Sequence, residues 1–175
     1  MRRQLVAAGI AAAGLLMGAA PAQASTTITI DGHFKESYPL GQPPPVCFTG
    51  SPCGIGRLKG YGTAAETFSF GGVDGRDANG CALIHGTDVI ELDDSQHSQF
   101  QEIEHDTICT PGGSHQAPGH FDSYGKPESV TGTWTVIPGS ATGVFAGACA
   151  GSGQVSGGFA GGTGNIDYEG NLQPC

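Results

Sequence analysis

Six cysteines in three neighbouring pairs constrain this chain more than any other feature. They are Cys47, Cys53, Cys81, Cys109, Cys149 and Cys175. An even set of cysteines in an exported chain implies a disulfide framework, although the count alone leaves the connectivity open. Turn chemistry ranks the possibilities. Cys81 and Cys109 lie symmetrically about Ser95, and the segment between them reads as two alternating strands around Asp93-Asp94-Ser95-Gln96. Cys149 and Cys175 lie symmetrically about Gly162, with Gly161-Gly162-Thr163-Gly164 as the turn. Cys47 and Cys53 flank the short loop Thr49-Gly50-Ser51-Pro52. Opposed strand positions bring Cα atoms within the roughly 7 Å that a disulfide can bridge. The predicted pairs are therefore Cys47–Cys53, Cys81–Cys109 and Cys149–Cys175.

The framework needs an oxidising compartment, and the N-terminus supplies the address. Arg2 and Arg3 precede an uncharged apolar run from Leu5 to Ala20, which ends in Pro21-Ala22-Gln23-Ala24. A positive n-region, a short apolar stretch and an A-x-A site make the secretory pattern. Residues 1–24 read as a signal peptide, Ser25 as the mature N-terminus, and residues 25–175 as one secreted, extracellular domain. No later segment is long and apolar enough for a membrane helix. From Ser25 onward five Lys and Arg face sixteen Asp and Glu, a net charge of −11. That charge repels nucleic acid and anionic lipid, so neither is expected as a partner of the mature protein.

The core is thin. Leu, Ile, Val and Phe supply 29 of the 151 residues from Ser25 onward, close to the fraction at which chains stop folding. Disulfides are expected to make up part of the difference, each contributing about 2–4 kcal/mol.

Along the chain, strands and turns alternate without a convincing helical period. Thr26 to Asp31 alternates Thr and Ile. Tyr61, Phe68 and Phe70 have strand-like spacing within residues 56–73. Residues 74–80 are a turn cluster, followed by the hairpin of residues 81–93 and 99–110. Residues 111–127 form a polar loop rich in Gly and Pro, in the position of a lid. Residues 129–137 alternate again through Val130, Gly132, Trp134 and Val136. Short strands with regular turns predict an all-β domain, a small antiparallel barrel of about eight strands with a β-sandwich as the alternative.

The late glycines carry a resemblance. Gly132-Thr133-Trp134, the run Gly143-Val144-Phe145-Ala146-Gly147-Ala148-Cys149-Ala150-Gly151-Ser152-Gly153, the pair Gly157-Gly158 and Tyr168-Glu169-Gly170-Asn171-Leu172 together resemble the allene-oxide-cyclase-like β-barrel proteins, dirigent proteins among them. The likeness covers about residues 130–172. It implies an eight-stranded barrel with a central cavity for an apolar small molecule, and it transfers no catalytic residue.

Candidate chemistry follows from the Cys81–Cys109 register, in which opposed positions sum to 190. His85 then faces His105, which reads first as a surface pair on a solvated sheet face, the alternative being a pair that binds metal or exchanges protons. Asp88 faces Glu102 on a strand face that also carries Ala82, Ile84, Ile90, Leu92, Phe100, Glu104, Asp106 and Ile108. Opposed carboxylates on an apolar face are costly unless they bind a cation or share a proton. Asp88 and Glu102 are thus the candidate catalytic acid–base pair, and Phe100, Trp134 and Tyr168 the candidate ligand contacts. In the 111–127 loop, His115, His120, Asp122 and Tyr124 are further candidates.

No Cys-x-x-Cys, metalloprotease, calcium-loop, P-loop or nucleophile-elbow motif is present, so no metal and no cofactor is predicted. Three functions remain open: a secreted barrel binding a small apolar molecule, an extracellular interaction or inhibitor-like module acting through its loops, and a cyclase or isomerase.

Overall fold

The computed structural model describes residues 26–37, 44–110, 128–160 and 162–175. The predicted signal peptide, residues 1–24, and the predicted loop of residues 111–127, with His115, His120, Asp122 and Tyr124, lie outside the described residues.

Among the described residues nine strands follow in chain order: β1 (Ile28–Ser37), β2 (Gly54–Leu58), β3 (Gly62–Glu66), β4 (Ser69–Arg76), β5 (Ala82–Leu92), β6 (Gln99–Cys109), β7 (Glu128–Val136), β8 (Ala148–Ala160) and β9 (Thr163–Pro174). They pair antiparallel in the order β3-β2-β1-β9-β8-β7-β6-β5, and a β3–β5 pairing closes the ring. The result is an eight-stranded barrel, which excludes the sandwich alternative. Strand β4 continues from β3 past a kink and pairs with β5 outside the closure, with two register shifts. Residues 56–73, which alternation alone joins into one stretch, are therefore split among β2, β3 and β4. The left-handed Gly60 and Gly62 make the first break.

The β5–β6 hairpin follows the cysteine symmetry. Strands β5 and β6 pair from Ala82↔Ile108 to Glu91↔Gln99, with opposed numbers summing to 190. In β8–β9 opposed numbers sum to 323 from Gly151↔Leu172 to Ala160↔Thr163, one less than Cys149 and Cys175 predict. A register shift separates Ala148 from Ala150, and Thr163 and Gly164 belong to β9 and not to the turn. All three predicted disulfides are present, with Cα separations of 5.4, 4.5 and 5.0 Å for Cys47–Cys53, Cys81–Cys109 and Cys149–Cys175. The Cys47–Cys53 loop lies on the outer wall, where its cysteines pack on Ala65.

Alternation sets the inner face. Ile30, Phe34, Leu58, Ala64, Ile84, Ile90, Phe100, Trp134, Val155, Ile166, Tyr168 and Leu172 form one buried cluster inside the ring. A 3-10 turn, Gly143–Phe145, closes one end: Phe145 packs edge-on against Phe100 at 5.2 Å and also meets Tyr61. Two glycines make room for the largest side chain. Trp134 lies beside Gly153, which in turn pairs with Gly170. A Cβ at either glycine would collide with the indole ring. Their backbone is thus the floor on which Trp134 lies.

Candidate functional site: a carboxylate-lined barrel interior

The inner wall carries more acid than a core this small normally accepts. Glu36, Glu66, Asp88, Glu102, Glu104, Asp106 and Glu128 are all buried. The four described Lys and Arg residues, Lys35, Arg57, Lys59 and Arg76, are all exposed, so among the described residues no Lys or Arg is buried beside the wall. The acids arrive by strand parity. Asp88, Glu102, Glu104 and Asp106 share the inward phase of the β5–β6 hairpin, Glu36 that of Ile30 and Phe34 on β1, and Glu66 that of Ala64 on β3. Glu128, near the far end, accepts a hydrogen bond from Thr110 at 3.1 Å.

At the centre, Asp88 faces Glu102 across the β5–β6 ladder, as the register predicts. The backbone N–H groups of Thr67 and Val89 donate to Asp88 Oδ1 at 2.9 and 2.6 Å. Tyr168 Oη lies 2.7 Å from Asp88 Oδ2 and 3.0 Å from Glu104 Oε2. A phenol holds one proton, so it donates in only one of these contacts. The other contact requires a proton on a carboxyl group.

The electrostatics agree. Burial, then Asp106, then Asp88 push Glu104 up to about 11, so it keeps its proton at neutral pH. Burial raises Asp88 to about 7, against the lowering by its hydrogen bonds from Tyr168 and Val89. Asp106 rises to about 6, chiefly by burial. Burial, reinforced by Asp88, also carries Glu102 and Glu66 well above the ordinary carboxylate range. Tyr168, buried among these acids, is raised as well.

Not every polar atom finds a partner. Both oxygens of Glu102, Glu66 Oε2, Asp106 Oδ1 and Trp134 Nε1 are buried without a hydrogen bond. Glu102 and Trp134 are each 0% exposed. Among the described residues, Asp88, Glu102 and Glu104 form a group whose ligand atoms all lie within 4.8 Å of one another.

The fold thus gathers the residues singled out from sequence. Asp88 and Glu102 are opposed and buried. Phe100, Trp134 and Tyr168 are all inside, with Phe100 and Trp134 rings 6.1 Å apart and Tyr168 edge-on to Phe34 at 5.6 Å. His85 does face His105, but on the outer surface, where the His85 ring meets Asp74 Oδ1 at 2.8 Å. Sequence reasoning missed that Tyr168 is the hydrogen-bond partner of Asp88 and Glu104, from a strand 80 residues away. It also missed Glu36 and Glu66 as wall residues. Their signal was parity: each continues the inward phase of its own strand.

Among the described residues, no helix is long and apolar enough to cross a membrane. No family model matches the chain, and no curated protein or solved structure is significantly similar to it.

Proposed function

We propose that this is a secreted small-molecule-binding barrel whose ligand has an apolar body and at least one hydrogen-bonding group. The observation that carries the reading is the unpartnered pair on the inner wall, the Trp134 indole N–H and the Glu102 carboxyl group. A buried polar group without a partner costs about 1–3 kcal/mol, which a fold tolerates where a ligand completes the bonding. The surrounding rings of Phe34, Phe100 and Tyr168 would contact the apolar body. Three disulfides fit the extracellular destination implied by the leader. The resemblance to allene-oxide-cyclase-like barrels points the same way.

The test is a titration of the EDTA-treated mature protein with N-phenyl-1-naphthylamine, a neutral apolar fluorophore carrying one N–H. Saturable stoichiometric binding is expected. It should raise Tm, because occupancy at a hundredfold excess over Kd stabilises the native state by about 2.7 kcal/mol. A cooperative melt with no saturable binding would refute the reading.

A second reading is favoured by the Glu104–Tyr168–Asp88 contacts, a proton-sharing chain that suits acid–base catalysis on a bound ligand. On that reading Asp88→Asn leaves ligand capture intact and abolishes conversion of the captured molecule, followed by mass spectrometry.

A further inference from the structure

We propose that Asp88, Glu102 and Glu104 bind one hard divalent cation of calcium size inside the barrel. The three carboxylates come from adjacent strands β5 and β6 and point to a common place on the inner wall, all fully or nearly fully buried. Their ligand atoms lie within 4.8 Å of one another. A calcium ion takes oxygens at about 2.3–2.6 Å, so two of its ligands can stand up to about 5 Å apart. Magnesium, at about 2.0–2.1 Å, demands a tighter and more regular shell. The donor set is all oxygen, which selects hard cations over zinc or copper.

Glu102 separates this reading from simple proton sharing. Asp88 and Glu104 are tied through the Tyr168 hydroxyl, as acids that share protons should be. Glu102 stands in the same group, is 0% exposed, and makes no hydrogen bond through either oxygen. A protonated acid carries an O–H that needs an acceptor, and none is met. An unbonded acceptor oxygen within 4.8 Å of ligand atoms on two further carboxylates is the arrangement a cation requires. Exposed Lys and Arg residues elsewhere in the described chain supply no substitute charge. Tyr168 Oη, within 3.0 Å of both Asp88 and Glu104, holds those two carboxyl groups in place.

The proposal does not rest on the small-molecule reading, whose titration is run in EDTA and fails or succeeds separately. Here Tb3+ serves as a luminescent probe of calcium size. It is added to the EDTA-stripped, desalted mature protein, and emission is excited through Trp134, the single tryptophan and the cross-strand neighbour of Glu104. Saturable emission at one ion per chain is expected, displaced by Ca2+, together with a Ca2+-dependent rise in Tm. Cation and protons compete for the same oxygens, so affinity should rise with pH. Glu102→Gln should weaken binding tenfold or more, and Glu104→Gln should do the same if the first variant fails to melt cooperatively. Glu169→Gln, on the exposed face of β9, should leave affinity unchanged. Absence of saturable emission, or emission unaffected by the Glu102 and Glu104 variants, would overturn the proposal. The second outcome would assign the ion to surface carboxylates.

Discussion

Replacing Glu102 by methionine should make the cation-free protein more stable. Methionine follows nearly the same unbranched path and fills irregular gaps without needing a partner. In the native barrel the Glu102 carboxyl group is fully buried and unbonded. An unsatisfied buried group of this kind costs about 1–3 kcal/mol. Removing it should raise Tm by roughly 2–12 °C, taking about 2–4 °C per kcal/mol for a domain of this size.

A second contribution depends on pH. Burial and Asp88 hold the folded Glu102 well above its unfolded value. A carboxyl group raised in this way favours folding most below its unfolded pKa of about 4.3, and that contribution is lost as pH rises toward the folded value. Between the unfolded and folded values the cost grows by about 1.4 kcal/mol per pH unit. The advantage of Glu102→Met over the parent should therefore widen from pH 4 to pH 7. Differential scanning calorimetry in EDTA at the two pH values measures both effects. A variant less stable than the parent at pH 7, or an advantage that shrinks as pH rises, would refute the account of Glu102 as an unpartnered buried acid. The same change should abolish the proposed cation site, so on that proposal stability and cation binding are opposed at this residue.

Two further outcomes follow from the interior. Tyr168→Phe removes the hydroxyl shared by Asp88 and Glu104, costs about 1–3 kcal/mol and lifts the Asp88 pKa further above about 7, because the lost hydrogen bond was lowering it; carboxyl-carbon NMR titration reads the shift, and an unchanged Asp88 would argue against the contact. Gly153→Ala places a methyl group against the Trp134 ring and the Glu169 carbonyl, with an overpacking cost of at least about 1–3 kcal/mol. Tryptophan emission should move to the red as the indole is displaced, and an unshifted spectrum with parental stability would show that the glycine floor is not needed.

Much of this architecture was legible before any coordinates. Two of the cysteine pairs flank hairpins, and for Cys81–Cys109 symmetry about the turn gave the register, whereas beside Cys149 a register shift moves β8–β9 one place off the symmetric pairing. Register then fixes which side chains oppose, because strand side chains alternate with period two. That is why Asp88 could be set against Glu102, and His85 against His105, from numbering alone. Alternation within a strand likewise put Trp134, Val130 and Val136 on one face. The break of residues 56–73 into three strands was not legible, since glycine conformation at Gly60 and Gly62 interrupts a pattern that hydropathy reads as continuous.

Ring closure was beyond the sequence as well. Alternation says which residues share a face of one strand, but not which face is inside, nor which strands meet across the interior. Only the β3–β5 pairing turns the sheet into a ring and brings Glu66 into the same electrostatic neighbourhood as Asp88 and Glu104. Tyr168 reaches Asp88 across the barrel from β9, a contact no local spacing encodes. The sequence by itself determined the disulfides, the hairpins and the opposed carboxylates, because each depends on distance along the chain. Tertiary structure alone decided that those carboxylates would be dry, mutually close and partly unpartnered, because burial and approach across a closed barrel depend on distance through space.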